Sequence, residues 1–167
     1  MPGPGGIAPT GRAVQRPARG HHRHRRQRGY SALRRPAQRG TMKIIHTSKA
    51  SAPAGHYSQA ISHGDTLYIS GQLPVSPDGR HNLSAPFAEQ AQIALHNLLA
   101  ILNAAGGSPQ DLVKVTVYVA GVGHWPAFDR VYAAALGDHR PARAVVPVPE
   151  LHHGYLVEIE AVARYLA

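Results

Sequence analysis

Arg143, Glu158 and Glu160 are the charged residues whose positions in the sequence best suit them for chemistry. Arg143 lies in RPARAVVPV, at the start of a predicted strand and just after a Pro-containing loop. A guanidinium held there can bind a carboxylate through two parallel hydrogen bonds, although a lone arginine is also an ordinary solvated surface residue. Glu158 and Glu160 are two residues apart on another predicted strand, which places them on one face about 6.6 Å apart. Such a pair suits acid–base chemistry, and it equally suits an exposed strand edge or an ion pair at a subunit interface.

The stretch AGHYSQAI, residues 54–61, sets three hydrogen-bonding side chains side by side just after Gly55. These side chains belong to Tyr57, Ser58 and Gln59. A strand that begins for structural reasons alone does not need such a cluster. The stretch is therefore a second candidate region for function, and its role depends on what the rest of the chain brings to the same place.

Several classes of site are excluded or disfavoured by the sequence. The chain has no cysteine, which excludes disulfides, thiolate nucleophiles and Cys-ligated zinc. The adjacent His152 and His153 would point opposite ways on an extended chain and make a poor chelate, and no HExxH-like spacing or phosphate-binding glycine motif is present. Ser58 and Ser70 lack a nucleophile-elbow motif. The sequence therefore predicts no metal and no cofactor, and a serine hydrolase is not expected.

The first half of residues 42–167 contains the signals of three strands and one helix that would position these side chains. A short strand is predicted at MKIIHTS and is broken by Pro53-Ala54-Gly55. The runs YSQAISHG and TLYISGQLP are separated by a short polar turn and predict a hairpin. Apolar residues at helical spacing in FAEQAQIALHNLLAILNAAGG predict a long helix, which Gly106 ends.

The second half predicts a strand, a helix and two closing strands. The strand DLVKVTVYVAG alternates, with one face formed by Val113, Val115, Val117 and Val119. HWPAFDRVYAAALG predicts a second helix, and RAVVPV and GYLVEIEAVARYL predict the last two strands. Pro147 and Pro149 each remove a ladder donor, so the first closing strand is expected at an edge or at a bend.

The resulting order, β-β-β-α-β-α-β-β, predicts an α+β fold in which two helices cover one face of a mixed sheet. The other face also carries apolar residues, so self-association is expected. No apolar run approaches the ~20 residues of a membrane span, and the cytoplasm is the simplest compartment.

The positive charge of the chain is concentrated in residues 1–41. This segment carries ten arginines and no acidic residue, whereas residues 42–167 carry eight Lys and Arg against nine Asp and Glu, a net charge of −1. The segment is rich in Gly, Pro, Arg and His, so we expect a disordered tail, and it is the part of the chain suited to RNA or an anionic surface. A transit peptide fits its composition less well. The alternative is that Met42 is the true start and the tail is upstream sequence.

Five dispersed motifs, taken together, resemble the RidA family, also called YjgF, of enamine/imine deaminases. They are AGHYSQAI, LYISGQLPVSPDG, LHNLLAILNAAGGSPQDLVKVTVYV, RPAR and VEIEAVA. The match covers essentially all of residues 43–165, in the family's order and with compatible spacings. The tail has no counterpart in the family.

The resemblance implies a chorismate-mutase-like α+β subunit that forms a homotrimer with a ligand cleft between each pair of subunits. It implies that Arg143 of the PAR motif holds the substrate carboxylate and that Glu158 of VEIEA contacts the attacking water. Tyr57 of YSQA would line the cleft as one wall, Gly71 of SGQ would let the backbone approach the ligand, and Val145 would contact the substrate. No metal or cofactor is implied.

Four departures from the family's usual pattern bear on the substrate range. His56 replaces a proline next to Tyr57, and Asp129 stands where an asparagine is common. The negative charge of Asp129 would either disfavour an anionic substrate or pair with Arg130. Residues 144–145 replace a stretch in which a cysteine is frequent, and residues 151–152 read Leu-His where Leu-Pro is usual.

The candidate residues and the resemblance leave three functions open. The resemblance implies hydrolytic deamination of 2-imino acids such as 2-iminopropanoate and 2-iminobutanoate to 2-keto acids and ammonia. The alternatives are a trimeric module that binds a small carboxylate metabolite without turnover, and a translation inhibitor or ribonuclease acting on RNA. Glu158 argues against the binding module, because carboxylate binding alone does not need it, and the neutral body argues against the RNA-directed role.

Overall fold

The computed structural model describes residues 41–166, and the predictions made for residues 1–40 lie outside the described residues. The elements are β1 Lys43–Ile45, β2 Ala60–His63, β3 Thr66–Gln72, α1 Phe87–Ala104, β4 Leu112–Ala120, α2 Trp125–Leu136, β5 Ala142–Val148 and β6 Val157–Arg164. This is the predicted order, and it confirms the α+β fold with a mixed sheet and two helices.

The six strands form one sheet in the order β1-β2-β3-β6-β4-β5. Neighbouring strands are antiparallel except β4 and β5, which are parallel and are joined by α2 as a crossover helix. The predicted edge position of Pro147 is confirmed, since β5 is the last strand and its outer side needs no ladder donor.

The core lies between the two helices and one face of the sheet. Helix α1 buries an apolar stripe that includes Leu95, Leu98 and Leu102, and α2 contributes Phe128, Tyr132 and Leu136. The inward residues of the two central strands complete it, namely Val115, Val117, Val119, Val157, Ile159 and Ala161. Burying such side chains stabilises the fold by about 1.5–3 kcal/mol each, which fixes β4 and β6 as the rigid centre of the sheet.

The predicted alternation in β4 is wrong at its first valine. Val115, Val117 and Val119 are buried as expected, but Val113 is 55% exposed. The register between β4 and β6 shifts between Leu112 and Lys114, and such a bulge turns the following side chains to the other face. Leu112 therefore occupies the buried position that the alternation assigned to Val113.

The second face of the sheet is covered by no element among residues 41–166 and keeps an apolar row. Ile44, Ile61, Tyr68 and Val162 stand in cross-strand register on it, and the first three remain exposed. This agrees with the expectation that the second face carries apolar residues. An apolar row of this kind is typical of a surface that another chain covers.

Candidate active site

A cleft of about 960 Å³ opens beside β6. Its walls come from three places: parts of segment 51–59, which leads into β2, parts of segment 70–81 at the end of β3 and in the loop that follows, and His152-His153. Glu158 from β6 lines the cleft, and so do Tyr57 and Gly71. Three of the residues predicted for the site therefore meet in one cavity.

Gln59 holds the wall that carries Tyr57. The side chain of Gln59 is 2% exposed, and its amide donates to the carbonyl oxygens of Thr47 (3.0 Å) and Ser51 (2.8 Å) while its oxygen accepts from Thr47 N–H (2.7 Å). The Tyr57 hydroxyl accepts a hydrogen bond from Ala54 N–H at 3.2 Å. Two residues of AGHYSQAI thus have different roles. Gln59 is buried and fixes the backbone of the wall, whereas the exposed ring of Tyr57 faces the cleft.

A bulge in β3 brings Gly71 against Glu158. The β3–β6 register shifts between Ile69 and Gln72, and the Ser70 hydroxyl donates to the Ser58 carbonyl at 2.7 Å, which ties the bulge to the Tyr57 wall. A Cβ built on Gly71 would overlap Oε1 of Glu158 and lie 3.0 Å from its Cδ. Only glycine leaves room for the carboxylate in its present position.

Glu158 is half-buried, and its electrostatic surroundings favour its neutral form. Burial is the main cause that raises the pKa of Glu158, and the negative charge of Glu160 adds to it, whereas His152 acts in the opposite direction and lowers it. A carboxylate whose pKa is raised is a stronger base than one with the ordinary pKa. Glu158 is therefore suited to take a proton inside the cleft.

Glu160 is held differently from Glu158, although both lie on the second face of the sheet, as predicted. The Tyr118 hydroxyl donates to Glu160 Oε1 at 3.3 Å. Burial and the charge of Glu160 both raise the pKa of Tyr118, so Tyr118 keeps its proton as a donor. Glu160 acts on the cleft through its charge rather than by lining it.

Arg143 lies on the helix side of the sheet, where Asp129 of α2 holds it. Arg143 Nη2 is 2.9 Å from Asp129 Oδ1, and its guanidinium carbon lies 4.9 Å from the centre of the Tyr132 ring. The pairing proposed for Asp129 from the sequence is thus wrong in its partner, which is Arg143 rather than Arg130. Asp129 and Arg130 are adjacent in sequence, but consecutive residues of a helix do not face each other, and α2 turns Asp129 toward β5.

Tyr132 and Val145 complete the surroundings of Arg143. Tyr132 is buried and its hydroxyl has no hydrogen-bond partner among the described residues, and burial raises the pKa of Tyr132 to about 12 although Arg143 opposes the shift. Val145 is two residues along β5 from Arg143, hence on the same face, and packs against the core. Val145 therefore neighbours Arg143 and not the cleft.

Arg143 and Glu158 do not meet within one chain. Arg143 pairs with Val115 of β4 while Glu158 pairs with Tyr118, so they are three residues apart along β4 and lie on strands to either side of it. That geometry separates their backbones by roughly 14 Å, and the two side chains extend from opposite faces of the sheet. The residues predicted for one site therefore form two halves, with Tyr57, Gly71 and Glu158 in one and Arg143 and Val145 in the other.

Sequence reasoning missed the histidines of the cleft. His81, His152 and His153 line it together, although only the adjacent pair stands out in the sequence, and there as a poor chelate. The sequence did carry one signal for a role in the cleft, because His152-His153 shortly precede β6, the strand that carries Glu158. His56, in contrast, is exposed and is not among the lining residues of the cleft.

The α+β fold of this chain is shared with known proteins. The family model described as Endoribonuclease L-PSP matches residues 47–165. The chain therefore belongs to the endoribonuclease L-PSP family, which is the RidA/YjgF family that its motifs resemble. None of the helices in residues 41–166 has the length and apolar character needed to span a membrane.

Three relatives illustrate the similarity. The 2-iminobutanoate/2-iminopropanoate deaminase of Rattus norvegicus is 40% identical over 121 residues, which cover 72% of this chain and 88% of the relative. The crystal structure of RidA from the Antarctic bacterium Psychrobacter sp. matches with a TM-score of 0.70 and 40% sequence identity. The match covers 74% of this chain and 99% of that one. E. coli TdcF with bound serine matches with a TM-score of 0.69 at 34% identity over 74% of this chain and 99% of that one.

Proposed function

We propose that this protein hydrolyses the C=N bond of small 2-imino acids, releasing a 2-keto acid and ammonia. The observation that carries the proposal is Glu158, a half-buried carboxylate with a raised pKa that lies against Gly71 in the cleft. A relative named as a 2-iminobutanoate/2-iminopropanoate deaminase shares 40% identity over most of its length, which supports the same chemistry here.

Glu158 is the general base in this proposal. It accepts a proton from water as the water oxygen attacks the imine carbon, and the C=N bond becomes a C–N single bond in a carbinolamine. Glu158 passes the proton that it took from water to the former imine nitrogen, and the hydroxyl proton of the carbinolamine then moves to the same nitrogen, which leaves as ammonia while the oxygen forms the new C=O bond. The imine is already electrophilic, so the protein's main task is to hold water and imine in contact, which is worth several kcal/mol when the geometry is good.

Arg143 is proposed to hold the substrate carboxylate, and this requires a second subunit. Since Arg143 and Glu158 lie on opposite faces of one chain, a small substrate reaches both only if the arginine comes from a neighbouring copy. The apolar row of Ile44, Ile61 and Tyr68 on the second face supports such an assembly. We propose the homotrimer that the family resemblance implies. TdcF with bound serine supports a small ligand that carries a carboxylate.

A binding module without turnover is the second candidate, and one observation favours it. Asp129 already occupies Arg143 at 2.9 Å, and it weakens the attraction of the guanidinium for a monoanionic substrate. The RNA-directed role depends instead on the ten arginines of residues 1–41, which lie outside the described residues, because residues 42–167 have a net charge of −1.

The test is keto-acid release from 2-iminobutanoate generated in situ by an amino-acid oxidase, with semicarbazide competing for the imine. The wild type should release 2-ketobutanoate faster than the uncatalysed background. Arg143→Ala should lose about 100-fold or more in kcat/KM, while Arg143→Lys keeps the charge but loses the paired hydrogen bonds and should fall between the two. A wild-type rate equal to the background would leave the binding module as the function.

A further inference from the structure

Three imidazole rings form a cluster at one side of the cleft. The ring centres of His81 and His153 are 4.9 Å apart, and those of His152 and His153 are 4.6 Å apart. All three residues line the same cavity as Glu158. We call His81, His152 and His153 the histidine rim.

The rim is held in place by a buried tyrosine. Tyr155 is 1% exposed, and its hydroxyl lies 3.0 Å from His81 Nδ1, with the two rings stacked. His81 is also anchored by a β-bridge to Val75. Because Nδ1 is engaged by Tyr155, Nε2 is the nitrogen of His81 that remains for a ligand.

His153 adopts a backbone conformation that normally belongs to glycine. Its φ is 61°, and it is the one non-glycine residue with a positive φ among residues 41–166. Such a conformation costs free energy, and residues held in it are concentrated at functional sites. The result here is that the His153 ring lies between those of His81 and His152.

The rim is the side of the cleft that offers ring N–H groups to a ligand. Among residues 41–166, the ionisable residues that line the cleft are Tyr57, Asp78, Glu158 and the three histidines, and no Lys or Arg is among them. Asp78 is paired with Arg80 at 2.7 Å. In residues 41–166 no group of three potential metal ligands has the geometry of a metal site. A carboxylate is therefore a group that the imidazole N–H donors at this position would bind.

We propose that the histidine rim binds a second acidic group of the substrate, so that the preferred substrates are imines of dicarboxylic acids, such as 2-iminosuccinate and 2-iminoglutarate. The inference rests on the proposed function for its reaction, in which one carboxylate binds Arg143 and Glu158 activates the water. A cleft of about 960 Å³ far exceeds the volume of a three- or four-carbon imino acid. The distal carboxylate would receive N–H bonds from the rim.

The test compares kcat/KM for 2-iminoglutarate and 2-iminobutanoate in the wild type and in His152→Gln/His153→Gly. Glycine suits the backbone at position 153, so this variant removes two rings without straining the chain. We expect the wild type to favour 2-iminoglutarate by about tenfold, because the rim donates N–H bonds to its distal carboxylate. In the double variant the preference should disappear. His63→Gln, at the end of β2 and outside the cleft, should keep it.

Equal kcat/KM values for the two imines in the wild type, or a preference that survives the double variant, would overturn the proposal. If the wild type hydrolyses neither imine, the proposed function fails, and calorimetric titration with 2-ketoglutarate and 2-ketobutanoate then tests the rim by itself. About tenfold tighter binding of 2-ketoglutarate, lost in the double variant, would support the rim without the reaction. Equal affinities would overturn it.

Discussion

The carboxylate of Asp129 in α2 forms a 2.9 Å ion pair with the guanidinium of Arg143 in β5. The side chain of Arg143 is 23% exposed and that of Asp129 is 54% exposed, so solvent screens the pair and its contribution is at most about 1 kcal/mol. The pair nevertheless occupies the group proposed to hold the substrate carboxylate. Asp129 is therefore a competitor that an incoming carboxylate must displace or share with.

Replacing Asp129 by asparagine should free Arg143 for the substrate. Asp129→Asn is expected to raise kcat/KM for 2-iminobutanoate by up to about fivefold, which corresponds to the ~1 kcal/mol of a partly exposed ion pair. Asp138→Asn removes the same charge from an exposed residue just after α2 and should leave the rate unchanged. A lower rate in Asp129→Asn would mean that Asp129 orients Arg143 rather than competing for it.

Adding a methyl group at Gly71 should displace the proposed base. The new Cβ of Gly71→Ala overlaps the Glu158 carboxylate, so Glu158 must move away from the position in which it contacts water. Activity should fall at least tenfold because misplacement by about 1 Å is costly in catalysis. The Tm should change little, because the atom that moves is the end of a flexible side chain.

Gly123→Ala is the matched control for that substitution. A Cβ at Gly123 meets no atom within 4 Å, and its φ is not positive. Its activity and Tm should equal those of the wild type. Full activity in Gly71→Ala would show that the position of the Glu158 carboxylate does not matter for turnover.

The pH profile should report the charge of Glu160. A general base works only when deprotonated, so kcat/KM should fall on the acid side as the pH drops through the raised pKa of Glu158. Glu160→Gln removes one cause of that raised pKa and should move the acid limb to lower pH, while Gln can still accept from Tyr118. An exposed control, Glu150→Gln, should leave the limb in place, and movement of the limb to higher pH in Glu160→Gln would contradict the assignment.

Glu158→Gln should separate activity from stability. Folding raises the pKa of Glu158, so the folded protein is stabilised when Glu158 is protonated. This stabilisation is complete below the unfolded-state pKa and is lost as the pH rises through the folded-state pKa. At pH 7.5 the buried charge therefore costs stability. Glu158→Gln is expected to lose about 10²–10⁴-fold in kcat and to have a higher Tm than the wild type.

The stability difference should shrink as the pH falls. Near pH 4 Glu158 in the folded protein is largely protonated, so the wild type and Glu158→Gln should have similar Tm values in thermal scans. A variant that is less stable than the wild type at pH 7.5 would show that the Glu158 carboxylate makes favourable contacts in the fold.

The order of elements was predictable because each element carries a local signal. The apolar spacing of α1 and the alternation of Val115, Val117 and Val119 report which side faces the core. The bulge that exposes Val113 was not predictable, because it depends on how β4 pairs with β6, forty and more residues away.

The candidate site was predictable only as a set of residues. Family motifs identified Arg143, Glu158, Tyr57 and Gly71, but motifs do not state which face of the sheet a side chain extends from. The pairing of Asp129 with Arg143 required the orientation of α2 against β5. The cluster of His81 with His153 joins residues 72 positions apart, and only the closed fold brings them together.

A site shared between subunits is tested most directly by mixing two inactive variants in one oligomer. Arg143→Ala and Glu158→Gln chains, carrying different tags, would be co-expressed, and oligomers that contain both would be purified and assayed for 2-ketobutanoate release. In a mixed trimer, one of the three clefts combines the intact Glu158 of an Arg143→Ala chain with the intact Arg143 of a Glu158→Gln chain. Mixed oligomers should therefore recover about a third of the wild-type rate. Mixed oligomers as inactive as either parent, beside an active wild type, would contradict a site shared between subunits.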